Sequence, residues 1–174
     1  MDLGRAREWL DEDPAHARAL LDSAHTASKE AIAEIRNVAR GIAPPVLTDR
    51  GLDAALSALA ARSSVPVTVD IEGVGRLDPT TEAIAYFCVS ECLTNVVKHA
   101  DATAVAVSLR RAGTDLVVRV SDDGCGGADP AGGTGLTGLR QRVRAVDGNL
   151  SVDSPPGGPT VVTANLPHRT RRPS

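Results

Sequence analysis

The sequence predicts an α+β fold: a mixed, mostly antiparallel sheet with helices on one face, preceded by a long helix. Three observations carry this. Apolar and small residues between Asp13 and Gly41 recur at alternating steps of three and four, the period of a helix with one covered stripe. Several later segments alternate apolar and polar residues with the period of a strand, beginning with Val65, Val67, Val69 and Ile71. Helix starts and strand ends are punctuated by Asp-Pro pairs and glycines, at Asp13-Pro14, Asp78-Pro79 and Gly113.

A short helical stretch from Asp2 to about Leu10 stops before Asp13-Pro14, which supplies an N-cap and a proline at the first helical position. The seam beyond it runs Leu21, Ala24, Ser28, Ala31, Ile35, Val38, Ile42. It requires a helix of roughly 28 residues, long for a globular domain. Nothing nearby covers such a stripe, which points to a partner helix; the alternative is that it lies on the rest of this chain. Gly41, Pro44 and Pro45 end the helix and mark a domain boundary. Leu52 to Ala61 then reads as an amphipathic helix and Val65 to Ile71 as a strand. A helix opens at Asp78-Pro79 and runs to about His99. Strands Ala104 to Arg110 and Leu116 to Asp122 are joined around Gly113. Gly124 to Gly138 reads as a flexible, glycine-rich stretch. A helix from about Leu139 to Val146, a turn at Asp147-Gly148-Asn149, and strands Leu150 to Asp153 and Thr160 to Leu166 complete the order. The basic tail from His168 to Arg172 reads as a solvated terminus.

Composition narrows the function. The 174 residues are 42% hydrophobic and 24% charged, as expected of a folded domain with a helical appendage rather than a disordered chain. Aromatics are 2%, namely Trp9, Tyr86 and Phe87, so an aliphatic core is expected and the composition argues against a base-stacking platform. A net charge of −3 argues against a nucleic-acid footprint. No run approaches the length of a membrane span and no signal peptide opens the chain. The three cysteines lack metal-type spacing, and Cys88 and Cys92, four apart on a helix, read as small buried hydrophobes. A cytoplasmic location is expected.

Three segments carry chemistry. Glu91, Asn95 and Lys98 are spaced i, i+4, i+7 and project from one helix face. An acid, an amide oxygen and an ammonium on one stripe suit a hydrated Mg²⁺ and phosphate oxygens, since Mg²⁺ keeps several waters and takes few protein ligands; a solvated polar face is the plainer alternative. Asp122-Asp123-Gly124-Cys125-Gly126-Gly127 directly follows a strand. A carboxylate there can accept from an exocyclic amino group, with glycines letting a ligand approach; the alternative is a well-formed loop. Cys125 is left without a role. Gly132-Gly133-Thr134-Gly135-Leu136-Thr137-Gly138 leads into a helix, an arrangement that cradles phosphates with backbone N–H groups. Its literal G-x-G-x-x-G match at Gly133, Gly135 and Gly138 is not a dinucleotide fingerprint, because Asp129-Pro130-Ala131 rather than a strand leads into it. No lysine follows the glycines as in a P-loop.

Taken in order, these segments resemble the N-box, the D-x-G-x-G box and the G-x-G-L box of the histidine-kinase ATP-binding domain, a GHKL member with the Bergerat α/β sandwich. Gly157-Gly158-Pro159-Thr160 resembles that family's closing G-G-x-T strand. The stretch from Gly41 through Pro44-Pro45-Val46-Leu47 to Gly51-Leu52 resembles the join between dimerisation helices and ATP domain in nitrate-sensor-like sensor kinases. The resemblance covers nearly the whole chain. It implies residues 1–45 as a partial dimerisation and histidine-phosphotransfer region, 46–168 as the ATPase domain and 169–174 as a tail. It also implies that Asn95 coordinates Mg²⁺ with Glu91 ordering its water shell, both as catalytic residues. Lys98 and His99 would contact phosphates. Asp122 would bind the adenine amino group beside Gly124 and Gly126, and Thr160 would back the pocket. Gly133, Gly135, Leu136 and Gly138 would form a mobile lid. ATP and Mg²⁺ are the implied cofactors. The implied partners are a cognate response regulator and a second copy in the intact kinase, which could be tethered to the inner membrane.

One departure matters. The family's phosphoacceptor histidine sits beside an acidic residue in the first dimerisation helix. His16 is followed by Ala17, His25 by Thr26, and His168 lies near the tail, so none matches and no autophosphorylation by this chain alone is expected. Two rivals stay open on sequence alone: a non-catalytic nucleotide-binding or dimerising module, and a serine kinase of the anti-sigma-factor type. The long helix and the Gly-Ile-Ala-Pro-Pro linker speak against the second.

Overall fold

The computed structural model describes residues 43–128 and 134–168, together with Asp13, Arg18 and Leu21. The seam helix, its linker up to Ile42, Gly133 and residues 169–174 therefore lie outside the described residues, apart from helical Arg18 and Leu21. Two compact units divide between Ile42 and Ala43, and the second contains the whole sheet.

The elements of this second unit are α1 (Pro45–Ala60), β1 (Val67–Glu72), α2 (Pro79–Asn95), a π-helical turn (Val96–Ala100), β2 (Val105–Ala112), β3 (Asp115–Asp122), α3 (Thr134–Arg144), β4 (Asn149–Asp153) and β5 (Thr160–Pro167). The strands form one sheet in the order β1-β2-β3-β5-β4. β1 runs parallel to β2 and every other pair is antiparallel. The expected mixed α+β architecture is present.

Strand periodicity explains the single buried face. Val107, Val120 and Val162 lie side by side across β2, β3 and β5, and Leu109, Val118 and Ala164 form the next row. All six are buried. The residues between them, such as Ala106 and Arg119, face outward and are exposed. The same parity carries inward to the end of the sheet, where Val105, Asp122 and Thr160 share a row. Helix α2 lies against β3 and β5, with α1 and α3 also packed on it. It is accordingly apolar on most of its circumference, burying Ile84, Phe87, Cys88, Val89, Cys92 and Leu93 among others. Burial pushes the Cys88 thiol up to about 12 and Cys92 well above its ordinary range, so both act as small hydrophobes. Arg142 of α3 places its guanidinium 5.3 Å from the Phe87 ring centroid, a cation–π contact joining α3 to α2.

Asp78 caps α2 as expected: its Oδ1 accepts from the Thr81 amide at 3.0 Å and its Oδ2 from the Thr81 hydroxyl at 2.6 Å. Partial burial pushes this carboxyl up, but those bonds outweigh it and hold the group below its usual value. Cap stability is therefore fully present above the ordinary carboxylate range and is lost as pH falls through the lowered value.

Three elements differ from the sequence expectation. Helix α1 begins at Pro45 rather than Leu52, because it joins two helical pieces across a break at Gly51 with φ 82° and ψ −175°. The stretch read as a flexible loop to Gly138 is helical from Thr134 onward, so α3 starts five residues before Leu139. Glycine's low helix propensity hid this start. His168, read as part of a solvated tail, is buried, and its backbone N–H donates to the Thr114 carbonyl at 2.9 Å.

The break at Gly51 is held by a clamp. Glu82 is 2% exposed. Its Oε1 accepts from Arg76 Nε at 2.9 Å and from the Leu77 amide at 3.0 Å, and its Oε2 from Arg76 Nη2 at 3.2 Å. Arg76 Nη2 also donates to the Thr48 carbonyl at 3.1 Å. A Cβ at position 51 would stand 3.2 Å from Arg76 Cδ, in a backbone region that side chains rarely adopt. Gly51→Ala is expected to destabilise the domain by about 1–3 kcal/mol, read as a lowered thermal midpoint. An unchanged midpoint would show that the break is dispensable.

Candidate functional site

β3 ends at Asp122, and because its inward parity is Leu116, Val118, Val120, Asp122, this carboxylate turns to the helical side of the sheet. It is 7% exposed. Its Oδ1 accepts from the Gly124 amide at 3.0 Å, while no described group donates to Oδ2. A largely buried carboxylate, with one oxygen engaged by a backbone amide and no described cation beside it, suits a neutral N–H donor from a ligand.

The loop after Asp122 is seated by two close backbone approaches. A Cβ on Gly124 would collide with the carbonyl of Ala100, at the end of the π-helical turn, and with Asp122 Oδ1. The Cys125 amide donates to that same Ala100 carbonyl at 2.8 Å, so the loop is pinned to the end of the helix that carries Asn95. At Gly126, with φ +62°, a Cβ would overlap the carbonyls of Pro155 and Gly158. The Gly157 amide donates to the Cys125 carbonyl at 2.7 Å and the Gly127 amide to the Ser154 carbonyl at 3.1 Å. Ser154 Oγ accepts from the Ala128 amide at 2.9 Å and lies 2.8 Å from Thr160 Oγ1. Asp122, Gly124, Gly126 and Thr160 thus form one cluster, tied to the turn before β5. Gly124→Ala is expected to displace this loop from the π turn and lower the thermal midpoint by several degrees, because the obstructing atom is a carbonyl that cannot swing aside.

Asp123 faces the other way. Its Oδ1 accepts from the Thr103 and Ala104 amides at 2.8 and 2.9 Å, and its Oδ2 from the Thr103 hydroxyl at 2.5 Å. The hydroxyl bond, followed by the amide bonds, holds this carboxyl down to about 2. Its contribution is fully present above the ordinary carboxylate value near 3.8 and is lost only as pH falls through about 2. Sequence reasoning singled out neither this role nor the seat made by Ala100, Ser154 and Pro155, which are carbonyl and hydroxyl contacts with no residue-type signature.

On α2, Glu91 and Asn95 are half-buried one turn apart. The Glu91 carboxylate lies against the first turn of α3, where a Cβ on Gly135 would strike its Oε1. Negative charge there is favourable at a helix N-terminus. Lys98 and His99 are exposed on the π turn, and the His99 carbonyl stands 3.5 Å from Cys125 Sγ. Lys98 lines an open groove on the α1 side of α2. Leu136 and Gly138 sit half-buried in α3, and nothing would obstruct a Cβ at Gly138. Among the described residues no cluster of three His, Cys, Asp or Glu side chains could hold a metal.

Comparison with known proteins agrees with this fold. Residues 80–170 match the family described as histidine kinase-, DNA gyrase B-, and HSP90-like ATPase, and residues 1–47 match a histidine kinase family. The chain is 32% identical over 145 residues to the oxygen sensor histidine kinase NreB of Staphylococcus carnosus, covering 78% of this chain and 42% of that protein. It is 32% identical over 184 residues to the sensor histidine kinase MctS of Rhizobium johnstonii, covering 99% and 39%. It spans less than half the length of these curated relatives. A blue-light activated histidine kinase of Erythrobacter litoralis EL346 superposes with TM-score 0.57 at 28% identity, over 67% of this chain and 40% of that one. The histidine kinase AdeS of Acinetobacter baumannii shares the fold, with TM-score 0.58 at 10% identity over 97% and 94%. With the family model matched over residues 80–170 and a histidine kinase module matched ahead of it, the chain belongs to the histidine kinase-, DNA gyrase B- and HSP90-like ATPase family and has the make-up of a histidine kinase catalytic core.

Proposed function

We propose that this chain binds ATP between Asp122 and the stripe of α2, and serves a two-component sensor kinase that moves the γ-phosphoryl group to a histidine and onward to a response regulator. The observation that best supports the nucleotide reading is Asp122, an inward carboxylate with one oxygen engaged by Gly124 and the other open to a donor. Its open oxygen would accept the adenine amino N–H, with Gly124, Gly126 and Thr160 shaping the wall. Asn95 would hold Mg²⁺ with Glu91 near it, and Lys98 and His99 would meet phosphate oxygens. Gly133, Gly135, Leu136 and Gly138 would cover them. Mg²⁺, when bound, supplies charge neutralisation on the phosphates. The accepting imidazole nitrogen would form its bond to phosphorus as the bond to the β,γ-bridging oxygen breaks, with ADP leaving.

In this reading residues 1–45 are a partial dimerisation and phosphotransfer region, 46–168 the ATPase domain and 169–174 a tail. The kinase acts as a homodimer on the cytoplasmic side. No helix among the described residues is long and apolar enough to cross a membrane. His16 and His25 lack an adjacent carboxylate, so incubation with γ-labelled ATP is expected to leave this chain unlabelled.

Calorimetric titration of ATP with and without Mg²⁺ tests the site. Wild type is expected to bind in the micromolar to sub-millimolar range, with Mg²⁺ tightening binding by about tenfold, about 1.4 kcal/mol. Asn95→Ala is expected to bind ATP but to lose the Mg²⁺ dependence. Absence of binding at millimolar ATP would sink the reading.

A further inference from the structure

A groove of about 500 Å³ opens between the end of α1, the turn after it, and one stripe of α2. Positions 90, 93 and 94 come from one face of α2, and positions 97 and 98 from the π turn that continues it. Its lining is unlike the rest of the molecule. The chain carries 22 Asp and Glu against 19 Lys and Arg, yet among the described residues no carboxylate lines the groove, while Arg62 and Lys98 both do. Leu59, Leu93 and Val97 supply apolar surface, and four hydroxyl side chains fill the remainder. Val97 is 54% exposed, one of two large hydrophobics so exposed among the described residues. A cationic rim around an exposed apolar patch is the complement of a segment that carries both carboxylates and an apolar side chain.

We propose that this groove docks an acidic, amphipathic segment of a partner protein, its apolar side chain against Leu59, Leu93 and Val97 and its carboxylates against Arg62 and Lys98. The proposal goes beyond the nucleotide reading, in which Arg62, Leu59 and Val97 have no part and with which the groove shares Lys98 alone. A small inorganic anion would use the cations but not the apolar patch, which is why a peptide segment is the better fit.

The test uses the full 174-residue chain and a fluorescein-labelled helical peptide of Glu and Leu, with a counterpart carrying Lys in place of Glu. Anisotropy titration is expected to show binding of the Glu peptide that weakens with added salt. Arg62→Glu and Val97→Asp, both at exposed positions, are each expected to weaken it at least tenfold. Calorimetric ATP affinity should be unchanged in both variants, which separates the Arg62 and Val97 part of this surface from the nucleotide site. The proposal is overturned if the Glu peptide does not bind, if either variant weakens it less than tenfold, or if the Lys peptide binds as well. Displacement by inorganic phosphate at matched ionic strength would also overturn it, since the groove would then be a simple anion site.

Discussion

Asp122→Ala is expected to weaken ATP binding by about ten- to a hundredfold while the domain stays folded. A hydrogen bond to a charged acceptor shielded from water contributes about 1.5–3 kcal/mol, and the upper part of that range corresponds to two powers of ten. Deleting the carboxylate also releases the Gly124 amide from its 3.0 Å partner. That costs about 1 kcal/mol of stability, so the variant should still melt cooperatively. Asp122→Asn separates the two effects: its amide oxygen can keep the Gly124 bond, but the charge is gone, so affinity should fall by an intermediate amount with little change in melting. Calorimetry on the three proteins, with thermal melts as the folding control, decides it. Undiminished affinity in Asp122→Ala would move the adenine elsewhere.

The second large effect is on stability and has a defined order. Arg76→Ala leaves the Glu82 carboxylate, 2% exposed, without its cation, and a stranded buried charge costs about 3–5 kcal/mol. Arg76 itself is 56% exposed, so the lower part of that range applies. Glu82→Gln strands less, because Arg76 can reach water and the amide oxygen can still accept from the Leu77 N–H. About 1–2 kcal/mol is expected there. Urea unfolding at constant m-value measures both. Equal losses, or a larger loss for Glu82→Gln, would show that burial of the carboxylate is not what the pair protects against.

Much of this molecule was legible in its residues. The Asp78-Pro79 start, the turn at Gly113 and the alternation through β2, β3 and β5 all have local causes: a cap, a glycine at positive φ, a period of two. The boundaries that slipped have local causes too. Gly135 and Gly138 inside α3 resemble a loop because glycine is a poor helix former. Gly51 resembles an ordinary helical position until its φ of 82° is seen. The candidate site divides the same way. Asp122, Asn95 and the glycines stand out by type and spacing. Asp123 as the tie to Thr103, Ala100 as the seat for Gly124, and the Arg76–Glu82 clamp pair residues whose types recur throughout the chain.

The chain's own residues set the family, the strand parity that turns Asp122 inward and the helix face that groups Glu91 with Asn95, because each depends only on local period and residue type. Folding in three dimensions set the rest. It continued α2 into a π turn whose last carbonyl seats the Asp122 loop, brought Glu91 against the start of α3, and opened a groove beside α1 with no carboxylate among its described lining. These depend on contacts between residues far apart in sequence, and a linear pattern holds no record of which distant carbonyl or side chain a given residue will meet.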